Sequence, residues 1–211
     1  MGNAQLNLTT LFVGGGIFAA TLVGTASAQT VRVTDDWVTL RPPGEGFRIL
    51  MPPDWKQNTP RTPNGKLSFI AKQPAPSGRP GVTNCTVVVE VHPDTANYTQ
   101  ATIDAEVFNA PAPPEVTHAV TSILQDPSVR ENRVVRISNQ LAWFMSYSGS
   151  YESLDAKVYL VAAAISLMRP GRTYNVTCSA SDTTAQRGEA AWSAWQPLLM
   201  LILGTFTIED F

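Results

Sequence analysis

Histidine, cysteine, serine and carboxylate side chains carry most metal and covalent chemistry, and this 211-residue chain holds few of them in suggestive spacings. It has two histidines, His92 and His118. In "VEVHPD", Glu90 and His92 are two apart, so a strand would put both on one side, with Asp94 next in line. An imidazole and two carboxylates could hold a weak surface metal. The same residues also read as a solvated strand edge with Asp94 capping a following helix, and that reading is taken here. His118 falls beside the apolar stripe of a predicted helix and reads as a surface residue. "SYSGSYESLD" (146–155) could supply serine and aspartate to a hydrolytic triad with a distant histidine. That stretch predicts a hairpin, however, and not the strand-to-helix elbow that exposes a nucleophile. There is no GxGxxG, P-loop or CxxC motif. No catalytic, metal-binding or cofactor-binding residue is assigned, and no cofactor is expected.

The two cysteines carry more information. Cys85 in "TNCTVVVEV" shares a strand face with Val87, Val89 and Val91. Cys178 in "RTYNVTCSAS" shares a face with Tyr174, Val176 and Ala180, opposite Thr173, Asn175, Thr177 and Ser179. Both thiols therefore point to apolar sides. In an oxidising compartment they would form a disulfide if their Cα atoms came within about 7 Å, and otherwise they are two buried thiols. The aromatic residues give a second candidate. Trp143, Met145, Tyr147 and Tyr151 lie on one face of one strand, and Tyr159 of the next strand is expected to join them. They read either as core beneath the helix bearing Trp192 and Trp195, or as an exposed platform for a partner or apolar ligand.

The elements that must position these residues follow from periodicity. "WVTLRPPGEGFRILMP" reads as two strands around a "PPGEG" turn. "QNTPRTPNG" and "PAPSGRPG" read as loops flanking a strand, "KLSFIAKQ", and "CTVVVEVHP" as the next strand. Asp94 or Thr95 is expected to cap a helix through "ANYTQATIDAEVF". A second helix starts at Pro113 or Pro114 and carries Val116, Ala119, Val120, Ile123 and Leu124 on one stripe. Strands return at "NRVVRIS", "LAWFMSYSGSYE", "AKVYLVAAAISLMR" and "RTYNVTCSA", with a tight turn at "RPGR". The third of these is apolar on both faces, which predicts a central strand covered on both sides. "TTAQRGEAAWSAWQPLLMLILG" predicts a helix kinked at Pro197, and "TFTIED" a short final strand.

The N-terminal stretch differs from the rest. No charged side chain precedes Arg32, and "LFVGGGIFAATLVG" is followed by Ala26-Ser27-Ala28. This small-x-small pattern predicts a signal peptide over 1–28 with cleavage before Gln29, then a lead-in over 29–36 and one domain over 37–211. The alternative is a retained N-terminal anchor, although the apolar run is short for a span. The first ten residues contain no Lys or Arg, an atypical start for a leader. A formal net charge of −2 and the lack of a basic cluster argue against a nucleic-acid partner. No membrane span is expected in the mature chain, because the "LLMLILG" segment is too short.

The glycine turn before "GFRILMPPDW", the helix pair in mid-chain, the strand ending "GRTYNVTCSAS" and the aromatic helix ending in "GTF" together resemble the PsbP-like family. This family comprises extrinsic photosystem proteins and their bacterial relatives, and its fold recurs in a Ran-binding nuclear-import factor. Phe47, Pro52 or Pro53, and Trp55 match its entry motif. Arg172 and Tyr174 match its "R-x-Y" strand, and Gly204 and Phe206 its terminal motif. The likeness spans residues 37–208, and the cysteines fall outside the family pattern. It implies an α/β (α+β) fold, an antiparallel sheet flanked by helices on both faces, and a binding or assembly role. The expectation is therefore a periplasmic or secreted, non-catalytic monomer that binds an unidentified envelope protein, with Trp143, Tyr147 and Tyr151 as partner-binding residues. The alternatives are a small-ligand or lipid-binding module using the aromatic face, and a periplasmic hydrolase.

Overall fold

The computed structural model describes residues 31–58, 67–72, 81–153 and 156–209. The expected leader, its cleavage point before Gln29, and most of the expected loops "QNTPRTPNG" and "PAPSGRPG" lie outside the described residues.

The predicted "PPGEG" turn joins β1 (Val38–Leu40) to β2 (Phe47–Met51). Gly44 and Gly46 adopt φ of 78° and 70°, a region that glycine enters without steric cost. β2 pairs on its other side with β10 (Thr207–Ile208), which gives a three-stranded sheet of order β1-β2-β10. The remaining strands are β3 (Lys56–Asn58), β4 (Leu67–Lys72), β5 (Val82–Val91), β6 (Gln125–Ile137), β7 (Gln140–Ser153), β8 (Ala156–Arg169) and β9 (Arg172–Asp182). They form a seven-stranded sheet of order β3-β4-β5-β9-β8-β7-β6, antiparallel at every pairing. Gly171, with φ of 74°, makes the predicted turn between β8 and β9. β8 is interior to the sheet and buried on both faces from Val161 to Leu167, as its two-sided apolar sequence requires.

One face of this sheet is covered by α3 (Ala185–Gly204) and the small sheet. Thr184 caps α3 by accepting a hydrogen bond from the Arg187 N–H. The helix continues through Pro197 and buries Trp192, Trp195, Leu199 and Ile202 along one stripe. Phe47 of β2 is fully buried between Phe206, stacked at a centroid distance of 5.4 Å, and Tyr174, edge-on at 6.1 Å. Trp55 closes this core just after the prolines that end β2. Cys85 and Cys178 face each other directly across β5 and β9, with Cα atoms 4.0 Å apart, and are joined as a disulfide. Both are fully buried beside Val87 and Val176, so the period-two reading placed both thiols correctly.

The opposite face carries α1 (Gln100–Glu106) and α2 (Pro114–Thr121). Helices therefore lie on both faces of an antiparallel sheet, as expected. Three details differ from the sequence reading. α1 is capped by Thr99, whose hydroxyl accepts from the Thr102 N–H, while Asp94 and Thr95 belong to a separate single 3₁₀ turn, Pro93–Thr95. α2 ends at Thr121, so Ile123 of the expected stripe is exposed and Leu124 turns inward. β6 begins seven residues earlier than the apolar pattern indicated, and β3 takes up residues read as loop. The first half of β6 is polar and contains Pro127, and its register to β7 shifts between Gln125 and Ser128 and again between Val129 and Glu131. From Asn132 to Ile137 the ladder is regular. Among the described residues β6 pairs with β7 alone, so its outer edge carries the unpaired side of the strand.

Candidate functional site

The registers lay out the α1/α2 face of the sheet as rows running from β7 to β5. One row is Tyr147, Ala162, Ser179 and Asn84. The next is Met145, Ala164, Thr177 and Thr86, and a third is Trp143, Ser166, Asn175 and Val88. A fourth runs from Met168 through Thr173 to Glu90. Each of the first three rows begins large and apolar on β7, becomes small on β8 and turns polar on β9. The chain around α1 and α2 covers the apolar end: Ile103, Phe108, Ala112 and Leu124 pack on Trp143, Met145 and Tyr147. Over β5 and β9 the side chains of Asn84, Thr86, Val88, Asn175 and Thr177 are only half-buried.

Of the two readings of the aromatic stripe, core and exposed platform, this arrangement matches the core, under a different cover. Trp143 is 6% exposed, its indole N–H donates to the Ala110 carbonyl at 3.0 Å, and its ring meets Phe108 edge-on at 5.1 Å. Tyr147 is equally buried. Burial raises its pKa above the ordinary tyrosine value, with the Thr177 hydroxyl acting weakly in the other direction. Tyr151 is half-buried against the same cluster. Trp192 and Trp195 do not pack on these residues, because α3 lies on the other face. Tyr159 does not join them either. On β8 it is Ala162 and Ala164 that share the Trp143 face, so Tyr159 points to the opposite side, where its carbonyl lies against Gly188 of α3.

Where the cover stops, a groove of about 370 Å³ runs between Val116 and Val120 of α2 and the sheet. Its floor combines Trp143 and Met168 with Thr173, Asn175 and Thr177. Ser166 donates to the Asn175 side-chain oxygen at 2.7 Å. The Thr173 hydroxyl is buried and has no hydrogen-bond partner, the only such side-chain atom among the described residues. Buried polar atoms are normally satisfied, so this hydroxyl is an exception within the sheet. Glu90 and His92 stand at one end, 3.8 Å apart. The sequence signal for this site was the polar side of "RTYNVTCSAS", which alternates against the apolar side that holds Cys178.

The other chemistry considered from the sequence is dispersed. Asp94 lies in the 3₁₀ turn, and among the described residues no three His, Cys, Asp or Glu side chains gather to hold a metal ion. Ser146, Ser148 and Ser150 are ladder residues of β7, and His118 is exposed on α2. Among the described residues no helix is long and apolar enough to cross a membrane.

No family model and no curated protein matches the chain. Solved structures similar to it include cyanobacterial PsbP from Synechocystis sp. PCC 6803, at 12% identity and a TM-score of 0.48, covering 82% of this chain and 92% of that one. They also include LpqN of Mycobacterium tuberculosis, a protein involved in cell envelope biogenesis, at 14% identity and a TM-score of 0.44, covering 82% and 91%. A Pseudomonas aeruginosa protein of unknown function is similar at 14% identity and a TM-score of 0.43, covering 83% and 99%. The structural neighbours thus include a PsbP, the family that the sequence motifs resemble.

Proposed function

We propose that this chain is an exported, non-catalytic domain of the bacterial envelope that acts by binding, with an envelope protein as its partner. The observation that supports it is the unequal cover of one sheet face. An α/β domain ordinarily buries both faces of its sheet, and here the β5/β9 half of one face keeps a row of half-buried polar side chains open beside α2. Such a surface, part polar and backed by a rigid ladder, suits recognition better than bond making. The buried Cys85–Cys178 disulfide supports export, since such bonds persist in oxidising compartments. The surface put forward for the partner is therefore the open neighbour of Trp143, Tyr147 and Tyr151, with those three side chains as its support.

Site-specific photo-cross-linking tests this. A photoreactive residue at Asn175 should give a discrete adduct in an envelope fraction, while one at the exposed Gln196 on α3 should give none. Equal labelling from both positions, or none from Asn175, would reject the open face as the partner surface.

A further inference from the structure

Neither cysteine has any solvent exposure, and both lie in the core that α3 covers. The course of the helix over β9 follows from two fixed points. Near its start, Gly81 lies so close to Ala191 and to the Ser181 carbonyl that no Cβ would fit. Just past its end, Phe206 lies beside Tyr174, with ring centroids 6.1 Å apart. α3 therefore runs antiparallel to β9. The helical rise from Ala191 to Phe206, about 22 Å, matches the strand run from Ser181 to Tyr174, about 23 Å, at roughly 1.5 and 3.3 Å per residue. On that scale Cys178 lies level with Pro197, beneath Trp195 and Leu199, which are 3% and 0% exposed. Cys85 stands directly opposite Cys178 in the β5/β9 register. From the other side, the backbone of the sheet itself closes the approach.

We infer that α3 is a gate for the disulfide: sulfur exchange at Cys85–Cys178 proceeds only when α3 lifts from the sheet, so the bond is made before the helix docks and is inert afterwards. A thiolate breaks a disulfide by attacking one sulfur and expelling the other, so it must touch the bond. No thiolate reaches a sulfur sealed beneath Trp195 and Leu199. Making the bond takes the same route in reverse. One cysteine thiolate attacks an external disulfide and the other displaces the mixed intermediate. The external pair leaves as two thiols, carrying the two electrons and both cysteine protons. The order of the chain allows this, because α3 follows Cys178 and both cysteines are available before the helix is complete. Pro197 weakens the helix at the level of the sulfurs. It has no N–H to give the Ser193 carbonyl, so the helical ladder lacks a rung there.

Reduction of the oxidised full chain by dithiothreitol, quenched by alkylation and read by mass spectrometry, tests the gate. The first dithiothreitol thiolate forms a mixed disulfide with one cysteine. The second displaces that cysteine and closes the ring, which leaves two cysteine thiols and cyclic oxidised dithiothreitol. Under native conditions the reaction should run at least about a hundred-fold slower than in concentrated urea, a factor set by the opening equilibrium. Urea added below the unfolding transition should speed it with a slope well under that of global unfolding, because only α3 opens. Pro197→Ala, which restores the missing rung, should slow it about ten-fold or more. Leu199→Ala should speed it at least about thirty-fold, while Ile103→Ala, equally buried on the opposite face, should leave it unchanged. Native reduction as fast as in urea, or a urea slope equal to that of global unfolding, would overturn the inference. So would an unchanged or faster rate in Pro197→Ala, or equal acceleration by Leu199→Ala and Ile103→Ala. Should Leu199→Ala not fold, the proline variant and the urea slope of the parent still decide.

Discussion

The two faces of the seven-stranded sheet have been built for different ends. On the α3 face the centre of the sheet is apolar: Phe47, Tyr174 and Phe206 interlock, Trp192 and Trp195 cover the ladder, and a disulfide ties β5 to β9 beneath them. On the α1/α2 face the same strands carry an apolar half and a polar half, and the cover, two helices of 7 and 8 residues, extends only over the first. Helices that short have little stability of their own and depend on the packing of a few anchors such as Ile103 and Phe108. One sheet thus has a closed face that stabilises and an open face that carries a groove. The difference arises from single residues at alternate positions of β9, where Tyr174, Val176 and Cys178 face one way and Thr173, Asn175 and Thr177 the other.

The sharpest way to break this comparison is through the disulfide. Cys85→Ser combined with Cys178→Ser opens a cross-link spanning 93 positions, and the chain-entropy model puts the loss at about 4–5 kcal/mol. Urea unfolding of the variant against the oxidised parent measures it, and binding should persist in whatever fraction is folded. Unchanged stability would remove the closed face from its assigned role. The next largest effect compares two phenylalanines. Phe47→Ala should cost about 3–5 kcal/mol, since a fully buried ring is lost among rings held by three elements. Phe108→Ala should cost less, because the chain around α1 and α2 can settle toward the sheet and shrink the cavity. Equal losses would mean that the two covers are equally rigid. A smaller effect is expected from Asn175→Ala on the open half: about 1 kcal/mol for the lost bond from Ser166, with a larger change in binding than in stability.

The smallest effect is read by pH. Burial raises the pKa of Tyr147, so the native state favours the neutral phenol. Its contribution is whole below the ordinary value near 10, and it is lost as the pH rises above that value, where the unfolded chain ionises and the native one resists. Alkaline unfolding of Tyr147→Phe should therefore show a shallower decline above pH 10 than the parent. A decline of the same slope would assign the alkaline loss to other groups, such as Tyr174, whose pKa is also raised by burial.

Much of this was legible in the sequence because β-strand alternation is a strict rule. It placed Cys85 and Cys178 on apolar faces, made β8 central and put Trp143, Met145, Tyr147 and Tyr151 together. Alternation states which residues share a face, but it does not say what covers that face. Read as core, the aromatic stripe takes Trp192 and Trp195 as its cover, whereas the chain between α1 and β6, with Ala112 and α2, covers it. Parity errors propagate in the same way: without the β7/β8 register, Tyr159 could be put on either side. The first half of β6 was missed because Gln125–Glu131 is strand by virtue of pairing with β7 and not by its composition. The groove was half legible. The polar side of β9 was visible in the sequence, but the lack of a partner for Thr173 is a tertiary fact.

The outer edge of β6 bears on whether copies of this chain would stick to one another. A long unpaired strand is a template for edge-to-edge growth, and natural sheets blunt such edges with bulges, proline and charge. Here the first half of β6 is broken by two register shifts and Pro127, which leaves Asn132–Ile137 as the stretch regular enough to recruit a second copy. That stretch carries the exposed Arg133 on the α3 side of the sheet and the exposed Arg136 on the other side. A second copy pairing there would have to accommodate a guanidinium on either face, and charge of this kind blunts an edge. The guanidinium of Arg133, already set over the Phe144 ring at 4.8 Å, would also have to leave that contact or crowd the newcomer. Bulges, proline and charge thus all act against edge-to-edge growth along β6.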